Sequence, residues 1–169
     1  MVTTLILGGA RSGKSRRAQW LAEAASDGRI YLATAQARDD EMSARILRHR
    51  QDRATGWRTI EETVDLVSVL DREGRAGSVI LVDCLTLWLS NLFEAGRDVD
   101  YETSLLCERL ARAKGYVVLV SNEIGMGLVP ETSLGRAFRD AQGRLNQAVA
   151  QAVDRVEFVA AGLPIRLKG

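Results

Sequence analysis

The fold is decided by one stretch near the start of the chain, which reads Gly8-Gly9-Ala10-Arg11-Ser12-Gly13-Lys14-Ser15. This stretch satisfies the pattern G-x-x-x-x-G-K-[ST], in which backbone N–H groups close around phosphate oxygens and the lysine reaches the terminal phosphates. The apolar run Thr3 to Leu7 before it predicts a strand, and the residues from Lys14 onward predict a helix whose N-terminal end carries partial positive charge. The stretch therefore predicts a phosphate-binding loop (P-loop) for a nucleotide, with Ser15 as a ligand of Mg²⁺.

Outward from the P-loop, strand-length runs rich in β-branched residues alternate with amphipathic stretches of helical length. That order predicts an α/β fold with a mostly parallel sheet flanked by helices, because parallel strands need crossover connections. The predicted strands are Thr3 to Leu7, Arg29 to Thr34, Ser78 to Val82, Val117 to Ser121, Arg155 to Val159 and Ile165 to Lys168. The predicted helices are Lys14 to Ser26, Asp39 to Arg53, Val64 to Arg72, Leu85 to Ala95, Tyr101 to Lys114 and Ser133 to Val153. The alternating run Trp57 to Glu61 is compatible with an edge strand or with simple packing.

Composition limits the class of protein. The chain has 169 residues, 46% hydrophobic and 27% charged, which predicts a single domain over residues 1–169. Lys and Arg total 23 against 22 for Asp and Glu, and this balance argues against a nucleic-acid partner. No apolar run approaches the ~20 residues that cross a bilayer. Cys84 and Cys107 lack the spacing of a disulfide framework or a zinc site, so a cytoplasmic location is expected.

Asp83 directly follows the apolar run Val79 to Val82 and has two interpretations. A P-loop site needs an acidic partner for its metal at the end of a neighbouring strand, and Asp83 is the candidate. Alternatively, Asp83 is the N-cap of the helix predicted from Leu85 onward. Both roles are compatible with the sequence.

His49 is the only histidine and lies in the predicted helix Asp39 to Arg53. Arg45 and Arg53 are one turn before and one turn after it, so two cations flank the imidazole on one helix face. His49 could be a histidine at the edge of the core beside Ile46, and residue chemistry alone favours this interpretation. It could instead be a nucleophile, because a neutral imidazole can attack phosphorus and form a phosphoramidate.

Further blocks of sequence accompany the P-loop and His49, and together they run from residue 4 to 168. They are Tyr31 to Ala35, Asp40 to Met42 with Arg45 and Ile46, His49 with Arg53, Trp57 to Thr59 with Glu61, Leu81 to Thr86, Val120 to Pro130, Phe138 to Asp140 with Asn146 and Gln147, and Gly162 to Pro164 with Leu167 and Lys168. In these blocks the chain resembles the bifunctional adenosylcobinamide kinase and adenosylcobinamide-phosphate guanylyltransferase family of cobalamin biosynthesis. Ala54 stands where the family usually has proline, a change that affects helix termination and no catalytic group.

The resemblance implies a RecA-like P-loop NTPase fold, a homotrimer and two transferase activities. In the first, a nucleoside triphosphate, ATP or GTP, phosphorylates the terminal hydroxyl of the aminopropanol arm of adenosylcobinamide. In the second, His49 attacks the α-phosphate of GTP, releases pyrophosphate and passes GMP to adenosylcobinamide phosphate. The product is adenosylcobinamide-GDP.

The resemblance also implies which residues form the site. Lys14 and His49 are the catalytic residues, Ser15 and Asp83 hold Mg²⁺, and the P-loop binds nucleotide phosphates. Contacts with the guanine nucleotide or its metal are implied for Ala33, Thr34, Ala35, Arg50, Gln51, Asp52, Arg53, Glu61 and Asp83. The loop Asn122 to Gly127 either contacts the corrinoid or a neighbouring subunit, or is a turn that its glycines permit.

Two other functions remain compatible with the residues. A plain P-loop small-molecule kinase would use Lys14 and Asp83 and leave His49 a structural role. A non-catalytic, nucleotide-dependent interaction or DNA-associated module would also carry a P-loop. The near-zero net charge argues against the DNA-associated form, because general binding to the DNA backbone needs a surplus of cationic side chains.

Overall fold

The computed structural model describes residues 2–26, 28–35 and 55–169. The strands of this part are β1 (Thr3–Gly8), β2 (Arg29–Ala33), β3 (Trp57–Glu61), β4 (Val79–Asp83), β5 (Tyr116–Asn122), β6 (Arg155–Ala160) and β7 (Leu163–Lys168). Its helices are α1 (Lys14–Ala25), α2 (Leu66–Glu73), α3 (Leu85–Glu94), α4 (Val99–Ala111) and α5 (Ser133–Ala152). The strands form one sheet in the order β3-β2-β4-β5-β1-β6-β7. All neighbours pair in parallel except β6 and β7, which are antiparallel.

This architecture confirms the predicted α/β fold with a mostly parallel sheet. The apolar runs of β4 and β5 are buried as expected of strands covered on both faces. The run Trp57 to Glu61 is the edge strand β3. The helix predicted over Asp39 to Arg53 lies outside the described residues.

The predicted start of α4 at Tyr101 is wrong by two residues. The side chain of Asp98 accepts a hydrogen bond from the backbone N–H of Tyr101, so Asp98 is the N-cap and the helix begins at Val99. The helix ends at Ala111, three residues before the predicted end at Lys114.

The sheet separates two apolar layers. On one face, α1 packs with Ala18 against Ile6, Leu81 and Val118. On the other face, residues of α2, α3, α4 and α5 form the larger cluster, with Trp88 of α3 fully enclosed. The Trp88 indole N–H donates to the carbonyl oxygen of Val64 at 2.7 Å, so this ring is buried without an unpaired polar atom. None of the helices in the described ranges combines the length and the apolar character that a membrane span requires.

The parallel arrangement brings the carboxyl ends of the strands to one edge of the sheet, here called the carboxyl edge. In register, Ala33 of β2 lies between Glu61 of β3 and Asp83 of β4. Farther along, Gly8 of β1 pairs with Asn122 of β5. Ligands of open α/β sheets bind outside such an edge, so these residues mark the region where a nucleotide site is expected.

Candidate functional site

The P-loop connects the end of β1 directly to the first turn of α1. Gly13 precedes the helix with a φ of 96°, a conformation that L side chains rarely adopt. At Gly8 a Cβ atom would lie 2.5 Å from the Ser12 Oγ and 2.6 Å from the Val159 carbonyl oxygen, so only glycine fits there. The tight loop leaves backbone N–H groups at the helix N-terminus, which is the arrangement that binds phosphate.

Two distant segments hold the P-loop in place. The N–H of Gly162, in the turn between β6 and β7, donates to the Ser12 carbonyl oxygen at 2.8 Å. On the other side, the N–H of Glu123 donates to the Gly8 carbonyl oxygen at 3.0 Å. The loop shape is therefore fixed by residues that follow β5 and β6, the two neighbours of β1 in the sheet.

Lys14 lies over the loop that it follows. Its Nζ donates to the Gly9 carbonyl oxygen at 3.1 Å. Burial lowers the pKa of Lys14 from its ordinary value, while the nearby Cys84 and Asp83 act to raise it. The ammonium group is thus partly desolvated beside an acidic residue, and a partly desolvated charge interacts more strongly with a ligand than one in bulk water.

Asp83 is the last residue of β4 and is half-buried at the carboxyl edge. One carboxylate oxygen accepts a hydrogen bond from the Tyr31 hydroxyl at 3.2 Å. The N-cap residue of α3 is Cys84, whose side chain makes no capping hydrogen bond. The interpretation of Asp83 as the N-cap of this helix is therefore wrong.

Thr34 fixes the backbone that follows Asp83. Its hydroxyl donates to the Cys84 carbonyl oxygen at 2.8 Å and accepts from the Cys84 N–H at 2.7 Å. The Thr34 N–H donates to the Asp83 carbonyl oxygen at 3.3 Å, and the peptide bond between Asp83 and Cys84 is cis. Burial raises the pKa of the Cys84 thiol to about 11, so this thiol is protonated at neutral pH and is not a nucleophile.

Sequence reasoning missed Tyr31, which bonds to Asp83, and the side chains that pack around Tyr31 and Trp57. The Tyr31 ring stands edge-on to Trp57, with ring centroids 6.2 Å apart. The Trp57 indole N–H donates to Glu23 of α1 at 3.2 Å, and the Arg29 guanidinium lies 5.4 Å from the centroid of the Trp57 ring. Side chains alternate between the two faces of a strand, so Arg29, Tyr31 and Ala33 of β2 share the face that α1 covers. This alternation was the signal in the sequence that could have placed Tyr31 near the site.

A buried polar network at the end of β5 was also missed. The Ser121 hydroxyl donates to the Asn146 side-chain oxygen at 2.7 Å, and the Gln142 amide donates to both groups at 3.0 Å. The Asn146 amide donates to the Asn122 carbonyl oxygen at 3.0 Å. The sequence did contain a signal for this network: Gln142 and Asn146 are four residues apart and lie on the otherwise apolar face of α5, where polar side chains need buried partners. This network sets where the loop after β5 begins.

The structure brings some predicted site residues together and leaves others apart. Lys14 and Asp83 lie near each other, and Ala33 connects Asp83 to Glu61 across β2. His49, Arg50, Gln51, Asp52 and Arg53 lie outside the described residues. Within the described ranges, no three His, Cys, Asp or Glu side chains gather as a metal site made by protein alone. A hydroxyl and a single carboxylate such as Ser15 and Asp83 can hold Mg²⁺ only together with phosphate and water oxygens, which is how this ion usually binds.

Comparison with known proteins identifies the family. Residues 4–167 match the family model described as cobinamide kinase / cobinamide phosphate guanyltransferase. The bifunctional adenosylcobalamin biosynthesis protein CobP of Pseudomonas aeruginosa is 50% identical over 167 residues, which are 98% of this chain and 96% of that protein. The protein CobU of Escherichia coli K12, with the same description, is 41% identical over 179 aligned positions, covering 97% of this chain and 98% of that protein.

Solved structures show the fold. The phi6 bacteriophage P4 protein in complex with ADP is 18% identical with a TM-score of 0.53, and the match covers 96% of this chain and 52% of that one. A prototypical ATPase from the type III secretion system of pathogenic bacteria is 14% identical with a TM-score of 0.53, covering 98% of this chain and 56% of that one. Both neighbours confirm the RecA-like P-loop NTPase fold. With its P-loop, its sheet order and a family match over nearly its whole length, the chain is a transferase that belongs to the family of cobinamide kinases and cobinamide phosphate guanyltransferases.

Proposed function

We propose that this chain phosphorylates adenosylcobinamide with ATP or GTP and then transfers GMP from GTP, through a guanylyl group on His49, to adenosylcobinamide phosphate. The product is adenosylcobinamide-GDP. The observation that carries the proposal is the placement of the P-loop and Asp83 at one edge, on strands separated only by β5. This placement suits a nucleoside triphosphate whose phosphates lie on the loop and whose metal faces the acid.

For the first step, the N–H groups of the P-loop hold the phosphates, and Lys14 stabilises charge on the transferring group. The residues of this phosphate site are Gly8, Gly9, Ala10, Arg11, Ser12, Gly13, Lys14 and Ser15. The Ser15 hydroxyl and the Asp83 carboxylate are the proposed ligands of Mg²⁺, and their oxygen atoms are the donors that this ion prefers. When bound, the ion neutralises charge on the phosphates.

For the second step, the neutral imidazole of His49 attacks the α-phosphorus of GTP and pyrophosphate leaves. The phosphate of adenosylcobinamide phosphate then displaces the histidine. Contacts with the guanine nucleotide are proposed for Ala33, Thr34, Ala35, Arg50, Gln51, Asp52, Arg53 and Glu61. Thr34 also positions this backbone, because its hydroxyl bonds to the N–H and the carbonyl oxygen of Cys84.

We also propose a single-domain subunit over residues 1–169, a homotrimeric assembly and a cytoplasmic location. The assembly is supported by large apolar side chains exposed after β5, namely Met126, Leu128, Val129 and Leu134. Several large apolar side chains exposed within one short segment are typical of contacts with another protein surface. Light scattering of the purified protein tests the trimer directly.

The covalent step can be tested with GTP labelled on the α-phosphate. The protein is incubated with Mg²⁺ and the labelled GTP, denatured and divided between acid and alkali. A phosphoramidate is lost in acid and survives alkali. Because His49 is the only histidine, mapping the label to the Glu-C peptide 42–61 assigns it to one imidazole. The label is expected in the wild type and absent in His49→Ala.

Two controls make the result decisive. Lys14→Ala removes the cation of the P-loop while leaving the nucleophile, so it is expected to slow both labelling and phosphorylation. His49→Ala is expected to retain phosphorylation of adenosylcobinamide. Full guanylyl transfer by His49→Ala would refute the histidine mechanism. A wild type that phosphorylates the corrinoid and never becomes labelled would identify the chain as a plain kinase.

A further inference from the structure

The residue that follows β5 is a carboxylate between the two halves of the nucleotide site. β5 lies between β1, which leads into the P-loop, and β4, which ends in Asp83. Asn122 pairs with Gly8, and the N–H of Glu123 donates to the Gly8 carbonyl oxygen at 3.0 Å. The Asn122 N–H donates to the Thr86 hydroxyl at 2.9 Å at the start of α3. Glu123 is therefore bonded to the end of β1, and the preceding residue Asn122 is bonded to the start of α3.

We propose that Glu123 is the general base that deprotonates the acceptor hydroxyl in the phosphorylation step. The inference rests on the proposed function and adds a residue that the sequence analysis gave no such role. Its basis is the position of a half-buried carboxylate beside the P-loop, directly after the strand that lies between the phosphate site and the proposed metal ligand. A general base must come within hydrogen-bond reach of the hydroxyl proton, so position is the first requirement.

The three acids on the described strands, Asp83, Glu61 and Glu157, fit this role less well. Asp83 accepts from the Tyr31 hydroxyl and is the proposed ligand of the metal. Glu61 is on β3, four strands away from β1, which at about 4.8 Å per strand is roughly 19 Å from the P-loop strand. Glu123 directly follows β5, the strand next to β1, which is only about 5 Å away by the same spacing. The carboxylate of Glu157 on β6 is held by two hydrogen bonds from Arg17.

Phosphorylation is the one step of the proposed sequence in which the nucleophile carries a proton that must leave. The hydroxyl O–H bond breaks as its proton passes to the Glu123 carboxylate, and a bond forms from that oxygen to the γ-phosphorus. The bond from the γ-phosphorus to the β–γ bridging oxygen breaks, the nucleoside diphosphate leaves, and the proton is later released to water. In guanylyl transfer, a neutral imidazole and then a phosphate attack through lone pairs, so neither attack needs a base.

The hydrogen bonds around Glu123 show which substitution tests its role in proton transfer without disturbing the turn. One Glu123 carboxylate oxygen accepts from the Gly125 N–H at 2.5 Å, which closes the turn after β5. A glutamine at this position has nearly the same shape and keeps an oxygen that accepts this bond, but an amide is not a base. Glu123→Gln therefore separates a role in the turn from a role in proton transfer.

The experiment measures both activities in wild type, Glu123→Gln, Glu123→Asp and the control Glu131→Gln. Glu131 is an exposed acid of the same loop, so its variant makes the same change in charge away from the strand end. Phosphorylation is followed with γ-labelled triphosphate and adenosylcobinamide, and guanylyl transfer with GTP and ready-made adenosylcobinamide phosphate. Glu123→Gln is expected to lower kcat of phosphorylation by about 100-fold or more, with little change in KM.

Glu123→Gln is further expected to transfer GMP at the wild-type rate, and Glu123→Asp to recover part of the lost phosphorylation. Phosphorylation by Glu123→Gln within a few-fold of wild type would overturn the proposal. Equal loss of both activities in Glu123→Gln would also overturn it, because that pattern indicates a structural role in the loop. Failure of the proposed function would look different from failure of the proposal for Glu123, since the wild type itself would then phosphorylate no corrinoid.

Discussion

Replacing Thr34 by valine should destabilise the protein far more than its small change in shape indicates. Thr34 is fully buried, and its hydroxyl satisfies both the N–H and the carbonyl oxygen of Cys84, which is itself 6% exposed. Valine fills nearly the same volume with a methyl group in place of the hydroxyl. Thr34→Val therefore leaves the Cys84 N–H without this partner, while the Cys84 carbonyl oxygen keeps the hydrogen bond that the Trp88 N–H donates at 3.1 Å.

The expected cost follows from this one buried donor. A buried polar group that loses its partner costs about 1–3 kcal/mol of the free energy of unfolding. For a domain of this size, each kcal/mol lowers Tm by roughly 2–4 °C. Thr34→Val is thus expected to lower Tm by roughly 2–12 °C. Because Thr34 also bonds to the Asp83 carbonyl oxygen through its N–H, the loss should disturb the end of β4 first.

The matched control is Thr34→Ser, which keeps the hydroxyl and removes one methyl group at a cost of about 1 kcal/mol. Urea denaturation followed by circular dichroism gives the free energy of unfolding of wild type and both variants. We expect Thr34→Val to be less stable than Thr34→Ser by up to about 2 kcal/mol, because only the valine variant leaves the Cys84 N–H unpaired. Equal stability of the two variants, or a more stable valine variant, would refute it.

Two further predictions concern the neighbouring polar groups. Hydrogen bonds from Arg17 lower the pKa of Glu157, so this carboxylate adds stability at neutral pH that is lost as the pH falls through its lowered pKa. Glu157→Gln should therefore cost about 1–2 kcal/mol at neutral pH and progressively less as the pH falls through the lowered pKa of Glu157, as measured by urea denaturation over an acidic pH series; a cost that does not fall with pH would contradict this. Tyr31→Phe removes the hydrogen bond to Asp83 and keeps the ring against Trp57, so it should raise the Mg²⁺ concentration for half-maximal phosphorylation about 10-fold with the fold intact. An unchanged Mg²⁺ dependence would show that the Tyr31 hydroxyl does not orient Asp83.

The sequence predicted the fold because its elements have strong local signals. β4 and β5 are short apolar runs bounded by breakers, and α5 carries an apolar stripe at helical spacing. The P-loop is a contiguous motif whose glycines are required by the loop itself, as the close approach of Gly8 to Ser12 illustrates. Signals of this kind depend on residues near one another in the chain, and these are visible in one sequence.

The polar interactions of the site could not be predicted in the same way. The two hydrogen bonds between Thr34 and Cys84 join residues 50 positions apart, and the network of Ser121 with Gln142 and Asn146 joins positions 21 to 25 apart. Their partners are fixed by strand register and helix docking, which no local pattern specifies. The N-cap Asp98 is different, since an aspartate before the apolar residue Val99 was a readable start signal.

The position of β1 has a consequence for synthesis on the ribosome. β1 is translated well before its two neighbours, which contain Val117 and Arg155, the register partners of Thr3 and Thr4. The P-loop that follows it is held by Gly162. A nascent chain that has emerged only through β4 therefore has a phosphate loop with no strand to anchor it. Nucleotide cannot stabilise such an intermediate, and tight nucleotide binding begins only when β5, β6 and Gly162 have been translated and the slow, long-range pairing of β1 is complete.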